Sequence, residues 1–189
     1  EVADAVAGTP GYALPGGIDP GLEALANFQP DTVTYANGTH AVEVEVDPGT
    51  GGVQFLRYVV VHDSGRLINP LIVDGQVHGG VAHGIGNAMF EWMRYDEDGQ
   101  PLTTTLAEYL LPTAMEVPHM EIVHHVSPTE RNPLGVKGVG ECGVMSAAPA
   151  VISAIENALA PFSVRIDRAP VTPAMIVALI GQGSDTPGA

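Results

Sequence analysis

The sequence predicts a mixed α/β domain of antiparallel hairpins and three to four helices. Three observations predict it. Val42, Val44 and Val46 alternate with Glu43 and Glu45, the period of a half-solvated strand. Val77, Val81, Ile85, Met89 and Trp92 recur at helical spacing. Residues 132–143 gather four glycines, the single lysine, the single cysteine and one glutamate directly ahead of another apolar helical pattern.

In chain order, residues 1–38 are rich in proline and glycine and read as an extended arm, with one short helix near Leu22 to Phe28. The strand at Val42–Val46 leads into Asp47-Pro48-Gly49-Thr50-Gly51-Gly52, a turn composition, and Val53 to His62 is a return strand apolar enough to be largely buried. Asp63 to Pro70 leaves it as a loop. The adjacent His62 and Asp63 invite a catalytic-dyad reading, but strand neighbours point to opposite faces, and no Gly-x-Ser-x-Gly nucleophile accompanies them.

A glycine-rich helix is expected over about Val73 to Met93. Gly79, Gly80, Gly84 and Gly86 should each weaken it by about 1 kcal/mol relative to alanine. The penalty implies either a bulky object against the backbone or a tightly packed neighbour. His78 and His83 lie five apart, not the four that places two ligands on one helical face, so zinc is not expected. Tyr95 to Gln100 is an acidic turn lacking the ligand spacing of a calcium loop. Leu102 to Leu111 and His119 to Val126 read as strands. A helix follows from Ser146 or Pro149 to Ala160, then a short strand at Val164 and Ile166. Thr172 caps a last helix with Pro173 in its first turn and Gly181 at its end, and residues 182–189 read as a flexible tail.

Composition narrows the function. A formal net charge of −15 argues against a broad basic surface for nucleic acid or anionic membrane. No apolar run reaches the length of a membrane span. One cysteine excludes an internal disulfide and a four-thiolate iron–sulfur cluster within this chain, and is consistent with a reducing cytoplasm. The first residue is Glu1 rather than Met, as expected of a piece of something longer and equally of a trimmed chain.

The chemistry is expected in Asn132-Pro133-Leu134-Gly135-Val136-Lys137-Gly138-Val139-Gly140-Glu141-Cys142-Gly143. Successive N–H groups in such a loop, backed by a helix N-terminus, suit an anion. Glu141, flanked by glycine and close to an apolar valine, is placed to be desolvated and to act as a base, or else to cap the next helix. Gly138 to Gly143 also matches Gly-x-Gly-x-x-Gly, but a proline-containing loop precedes it where a dinucleotide site needs a buried strand.

Gly135-Val136-Lys137-Gly138-Val139-Gly140-Glu141 closely resembles the active-site loop of the molybdenum hydroxylases, the family of xanthine dehydrogenase, aldehyde oxidase and aerobic carbon monoxide dehydrogenase. Leu14-Pro15-Gly16-Gly17-Ile18-Asp19-Pro20-Gly21-Leu22-Glu23, Val61 to Pro70, Gly75-Gln76-Val77-His78-Gly79-Gly80 and Tyr109 to Ala114 occur in the family's order. The resemblance implies that residues 39–181 form the C-terminal part of the large, molybdopterin-binding subunit. It implies Glu141 as the base in a reaction that inserts water-derived oxygen at an electron-poor carbon, of an N-heteroaromatic or an aldehyde more than of carbon monoxide. Gln76, Gly79, Gly80, Lys137, Gly138, Val139 and Gly140 would line the molybdopterin site, with the cytosine dinucleotide form of the cofactor expected. A larger chain would complete that site, and iron–sulfur and flavin (FAD) units would lie on partner chains. His83 stands where relatives often have glutamine, and Cys142 where proline or glycine is usual. Cys142 is then a small buried residue or a thiol near the metal. The rival readings are a nicotinamide dehydrogenase and a non-catalytic structural module. NAD difference spectra and metal analysis separate them.

Overall fold

The computed structural model describes residues 21, 23 and 25–184. The chain divides into two compact units, Glu1–Asp31 and Thr32–Ala189. In the first, the described residues form neither helix nor strand, so the helix expected near Leu22 is absent at Glu23 and over 25–28. Leu22 and Ala24 themselves lie outside the described residues, as do most of the arm and residues 185–189 of the expected tail.

The second unit holds a three-stranded sheet in the order β1 (Asn37–Val46), β2 (Val53–Asp63), β3 (Met120–His124). Strand β1 pairs antiparallel with β2 through the expected hairpin, with a bulge between Glu43 and Val44. Its turn is closed by Asp47, whose carboxylate accepts from Gly49 N (2.8 Å) and the Thr50 hydroxyl (2.8 Å). Strand β2 alternates rather than being buried throughout: Tyr58, Val60 and His62 are buried, Val59 and Val61 between them only partly so, and Leu56 at the bulge is half exposed. Strand β3 lies parallel to β2, from Tyr58↔Met120 to His62↔His124, so the sheet is mixed.

Helix α1 (Pro70–Met89) is capped by Asn69, whose side chain accepts from Ile72 N (3.3 Å). It ends four residues short of Met93, leaving Trp92 outside it and half exposed. Its stripe of Val77, Val81 and Ile85 is fully buried, each such side chain contributing about 2 kcal/mol. It meets Tyr58 and Val60 of β2, Val151 and Ile155 of α2 (Ala147–Ala158), and Ile176 of α3 (Pro173–Ser184) in one core.

Three expectations fail locally. Residues 102–111 form turns, because the Glu108 carboxylate folds back onto Thr105 N (2.9 Å) and the Thr105 hydroxyl. Residues 164–166 form no strand, since Ile166 N donates to the Glu156 carboxylate (2.6 Å) instead of to a neighbouring strand. Helix α3 runs through Gly181 to Ser184, so the first residues assigned to a tail are helical. Thr172 does cap it, accepting from Met175 N at 3.3 Å. Among the described residues no helix is long and apolar enough to cross a membrane.

Candidate active site

The loop of residues 132–143 lies on the segment that leaves β2, which the sequence presented only as a connection. Lys137 N donates to Ser64 O (2.9 Å), Arg66 N donates to Gly135 O (2.9 Å), and Gly65 and Val136 form an antiparallel bridge. Gly65 and Gly135 both hold positive φ, and a Cβ on Gly65 would fall 2.3 Å from Gly135 O, so the approach of the two segments requires glycine. Asn132 closes the loop on itself: its amide accepts from Val136 N (3.1 Å) and donates to Val136 O (2.8 Å). Gly138 N donates to Thr34 O (3.2 Å).

These bonds take the N–H groups of the first part of the loop out of the expected anion cradle. The N–H groups of residues 135–138 all have partners within the chain, and α2 begins only at Ala147, after a run of turns. Lys137 is likewise engaged. Its ammonium lies 2.6 Å from Asp63 Oδ2 with both side chains largely buried, so it acts as a strut of the loop. Asp63 also accepts from Gly65 N (2.8 Å) and Ser127 N (3.2 Å). Burial alone would raise its pKa, but Lys137 and the two N–H donors outweigh that and hold its carboxyl below the usual range.

Sequence adjacency and spatial partnership differ here. Asp63 turns to Lys137, whereas His62 turns the other way, its Nε2 2.7 Å from Nδ1 of His124. Nε2 of His124 lies 3.0 Å from Asp74 of α1. Burial, then the neighbouring His124, lowers the pKa of His62. No sequence pattern marks His124 for a role, because a parallel pairing of β3 with β2 has no local signature.

The C-terminal half of the loop packs on α1. A Cβ on Gly80 would fall 2.7 Å from Gly143 Cα, and one on Gly143 would fall 2.5 Å from Val77 O. A Cβ on Gly84 would meet Ala147 Cβ at 2.2 Å. Gly80 therefore serves loop packing, and Gly84 serves the contact of α1 with α2. Gly75, Gly79 and Gly140 are different: among the described residues, nothing beyond their own chain neighbours and helix turn lies within 4 Å of where their Cβ would be. Gln76, in the second turn of α1 rather than at its start, is exposed beside them. Val139 is half-buried and packs against the core.

Glu141 is exposed, contrary to the expectation of a desolvated carboxylate, and its side chain has no hydrogen bond or ion pair among the described residues. Neither does it cap α2, whose N-terminal Ser146 makes no side-chain cap bond. Its backbone is fixed: Glu141 O accepts from Val144 N (3.0 Å) and Met145 N (3.1 Å). The next residue, Cys142, is fully buried, and its thiol donates to Val139 O (3.0 Å). Burial pushes that thiol's pKa up, so Cys142 is the small buried residue of the two readings. Cys142 O lies 3.2 Å from Nε2 of His40, whose Nδ1 lies 3.0 Å from the Tyr58 hydroxyl. Burial lowers the pKa of His40 and raises that of Tyr58.

Residues 6–118 match the family model of the molybdopterin cofactor-binding domain. The chain belongs to this family. The matched span of this molybdopterin cofactor-binding domain contains α1 with Gln76 and Gly79, and stops short of the Glu141 loop. Among curated relatives, a 6-hydroxypseudooxynicotine dehydrogenase complex subunit gamma of Paenarthrobacter nicotinovorans is 43% identical over 84% of this chain and 20% of its own length. A carbon monoxide dehydrogenase large chain of Hydrogenophaga pseudoflava is 40% identical over 77% of this chain and 18% of its own. Among solved structures, quinoline 2-oxidoreductase from Pseudomonas putida 86 superposes with a TM-score of 0.83 at 42% identity, covering 89% of this chain and 22% of that one. The chain thus spans about a fifth of the length of the relatives it matches.

Proposed function

We propose that this molybdopterin cofactor-binding domain supplies the proton-accepting side of a molybdenum hydroxylase, with Glu141 as the base. One observation carries the reading: Glu141 is an exposed carboxylate with no side-chain partner among the described residues, on a loop tied to the fold at Lys137, Gly138 and Cys142. A carboxylate left without a partner on a rigid support is suited to take a proton from a bound reactant.

The residues present fit the cofactor along one line. Gly75 and Gly79 leave an open strip of α1 backbone, and Gly140 an open point beside Glu141. Gln76, with one donor and one acceptor group, matches the edge of a pterin from that strip. When bound, the cofactor supplies the redox chemistry and acidifies the oxygen to be transferred. This chain's part is to bind and orient. Gln76 and Gly79 hold the pterin, Val139 and Gly140 line the reacting side, and Gly138 and Lys137 support them from below by their bonds to Thr34 and Asp63. Glu141 then takes the proton as oxygen is delivered to an electron-poor carbon. Glu141 is exposed in this chain, and the remaining large-subunit sequence is the partner that would cover it.

The substrate class is an N-heteroaromatic or an aldehyde. The resemblance to a quinoline oxidoreductase supports the first. A carbon monoxide dehydrogenase activity is the second reading, favoured by the relative at 40% identity. A cytosine dinucleotide form of the cofactor, an iron–sulfur subunit and a flavin subunit belong to the same proposal; a relative named as a subunit of a complex supports the existence of partner chains. The test is metal and nucleotide analysis of the purified full-length protein with its partners, followed by turnover on quinoline-type heterocycles, aldehydes and carbon monoxide. Molybdenum and a released cytidine nucleotide are expected. A protein free of molybdenum and inert on all three classes would sink the proposal.

A further inference from the structure

We propose that His40 is the positioning residue of the Glu141 loop, held by Tyr58 and acting through the carbonyl of Cys142. The inference rests on the reading of Glu141 as the base. Its basis is the order of two hydrogen bonds that join three residues across the domain. The Cys142 carbonyl only accepts, so the His40 proton sits on Nε2, 3.2 Å away. Nδ1 of His40 is then an acceptor, and the Tyr58 hydroxyl, 3.0 Å away, donates to it. His40 pairs with Val60, and Tyr58 with Val42, so the two side chains are diagonal neighbours across β1 and β2. Tyr58 is buried in the core, which anchors the outer end of the chain of bonds.

The place of contact gives the bond its role. Loop residues up to 138 are tied to Thr34, Ser64, Arg66 and Asp63. Over residues 139–143, the bond from His40 is the one hydrogen bond that reaches in from outside the loop and the turn that follows it, among the described residues. It fixes the peptide carbonyl that follows Glu141, while the carbonyl of Glu141 itself is fixed by Val144 and Met145. Gly143, pressed on Val77, leaves no slack on the other side. With the His40 bond removed, Glu141 stays on the loop but loses its fixed distance to the reacting atoms.

The experiment uses the full-length enzyme with its partners, and compares His40→Leu, His40→Gln, Tyr58→Phe and Glu141→Gln. His40→Gln restores an amide donor toward Cys142; His40→Leu removes it. Amide hydrogen exchange over residues 139–144 is read by mass spectrometry alongside kcat, KM and molybdenum content. For His40→Leu the expected result is faster loop exchange and a kcat lower by about tenfold or more, the scale of a slight misplacement of a reacting group, with KM and molybdenum content close to the parent. His40→Gln should recover most of both losses. If His40→Leu fails to accumulate, Tyr58→Phe, which deletes one hydroxyl, carries the same readouts in the same direction. A parental kcat, or parental loop exchange, in the variant that carries the test overturns the proposal. Activity retained by Glu141→Gln would instead remove the base assignment, while loop exchange in the His40 variants still reports whether the anchor exists.

Discussion

Glu141 and Asp63 are two carboxylates with opposite fates. Glu141 has no side-chain partner among the described residues, so exchanging its oxygen for an amide removes only the ability to take a proton. Glu141→Gln is expected to abolish turnover while melting temperature and molybdenum content stay parental; near-parental turnover at saturating substrate would refute the base. Asp63 is enclosed by Lys137 and two N–H donors, and its pKa is depressed. A depressed carboxylate adds stability that is fully present above its unfolded value of about 3.9 and is lost as pH falls through the folded value. Asp63→Asn should therefore melt well below the parent at neutral pH, with the gap closing as pH drops below about 4. Removing one partner of a buried pair costs on the order of 3 kcal/mol. Melting curves of both proteins across that pH range check it, and a gap independent of pH would show that the pair is not what holds the loop.

At the scale of elements, α1 carries two kinds of glycine that its sequence does not distinguish. A Cβ on Gly80 would fall 2.7–2.8 Å from the Gly143–Val144 backbone, and one on Gly79 would face open space among the described residues. Gly80→Ala should push the loop off the helix, costing about 1–3 kcal/mol by overpacking and reducing turnover. Gly79→Ala should leave the fold intact, or stabilise the helix by up to about 1 kcal/mol, and lower the molybdenum-to-protein ratio because the methyl intrudes on the cofactor strip. Thermal melting with metal analysis of the two variants separates the roles. Equal loss of stability in both would mean that the open strip is covered by protein and not by cofactor.

On the scale of the whole molecule, the chain leaves large apolar side chains uncovered: Leu71 is 80% exposed, Leu106 74% and Met115 89%. Such surface is consistent with an obligate contact to the rest of a large subunit, an interface often above about 2,000 Å². The 189 residues expressed alone are therefore expected to associate or to melt without cooperativity, measured by size-exclusion chromatography and circular dichroism. A cooperatively melting monomer would show that the domain needs no cover.

The sequence by itself determined the hairpin, the buried stripe of α1, the cap of α3 by Thr172 and the loop that bears Glu141. Each is written in local periodicity, turn residues or a contiguous motif, which depend on residues a few positions apart. It also carried the family, because motifs in order survive without coordinates. Tertiary structure alone decided the rest. Which glycines of α1 are open depends on where residues 143 and 147 land, more than fifty positions later. Whether Lys137 is a ligand or a strut depends on Asp63, and the partner of His62 depends on a parallel strand pairing. His40 carried no local signal at all. Its link to Cys142 spans 102 positions, and a hydrogen bond between residues so far apart becomes visible only when the sheet and the loop are folded together.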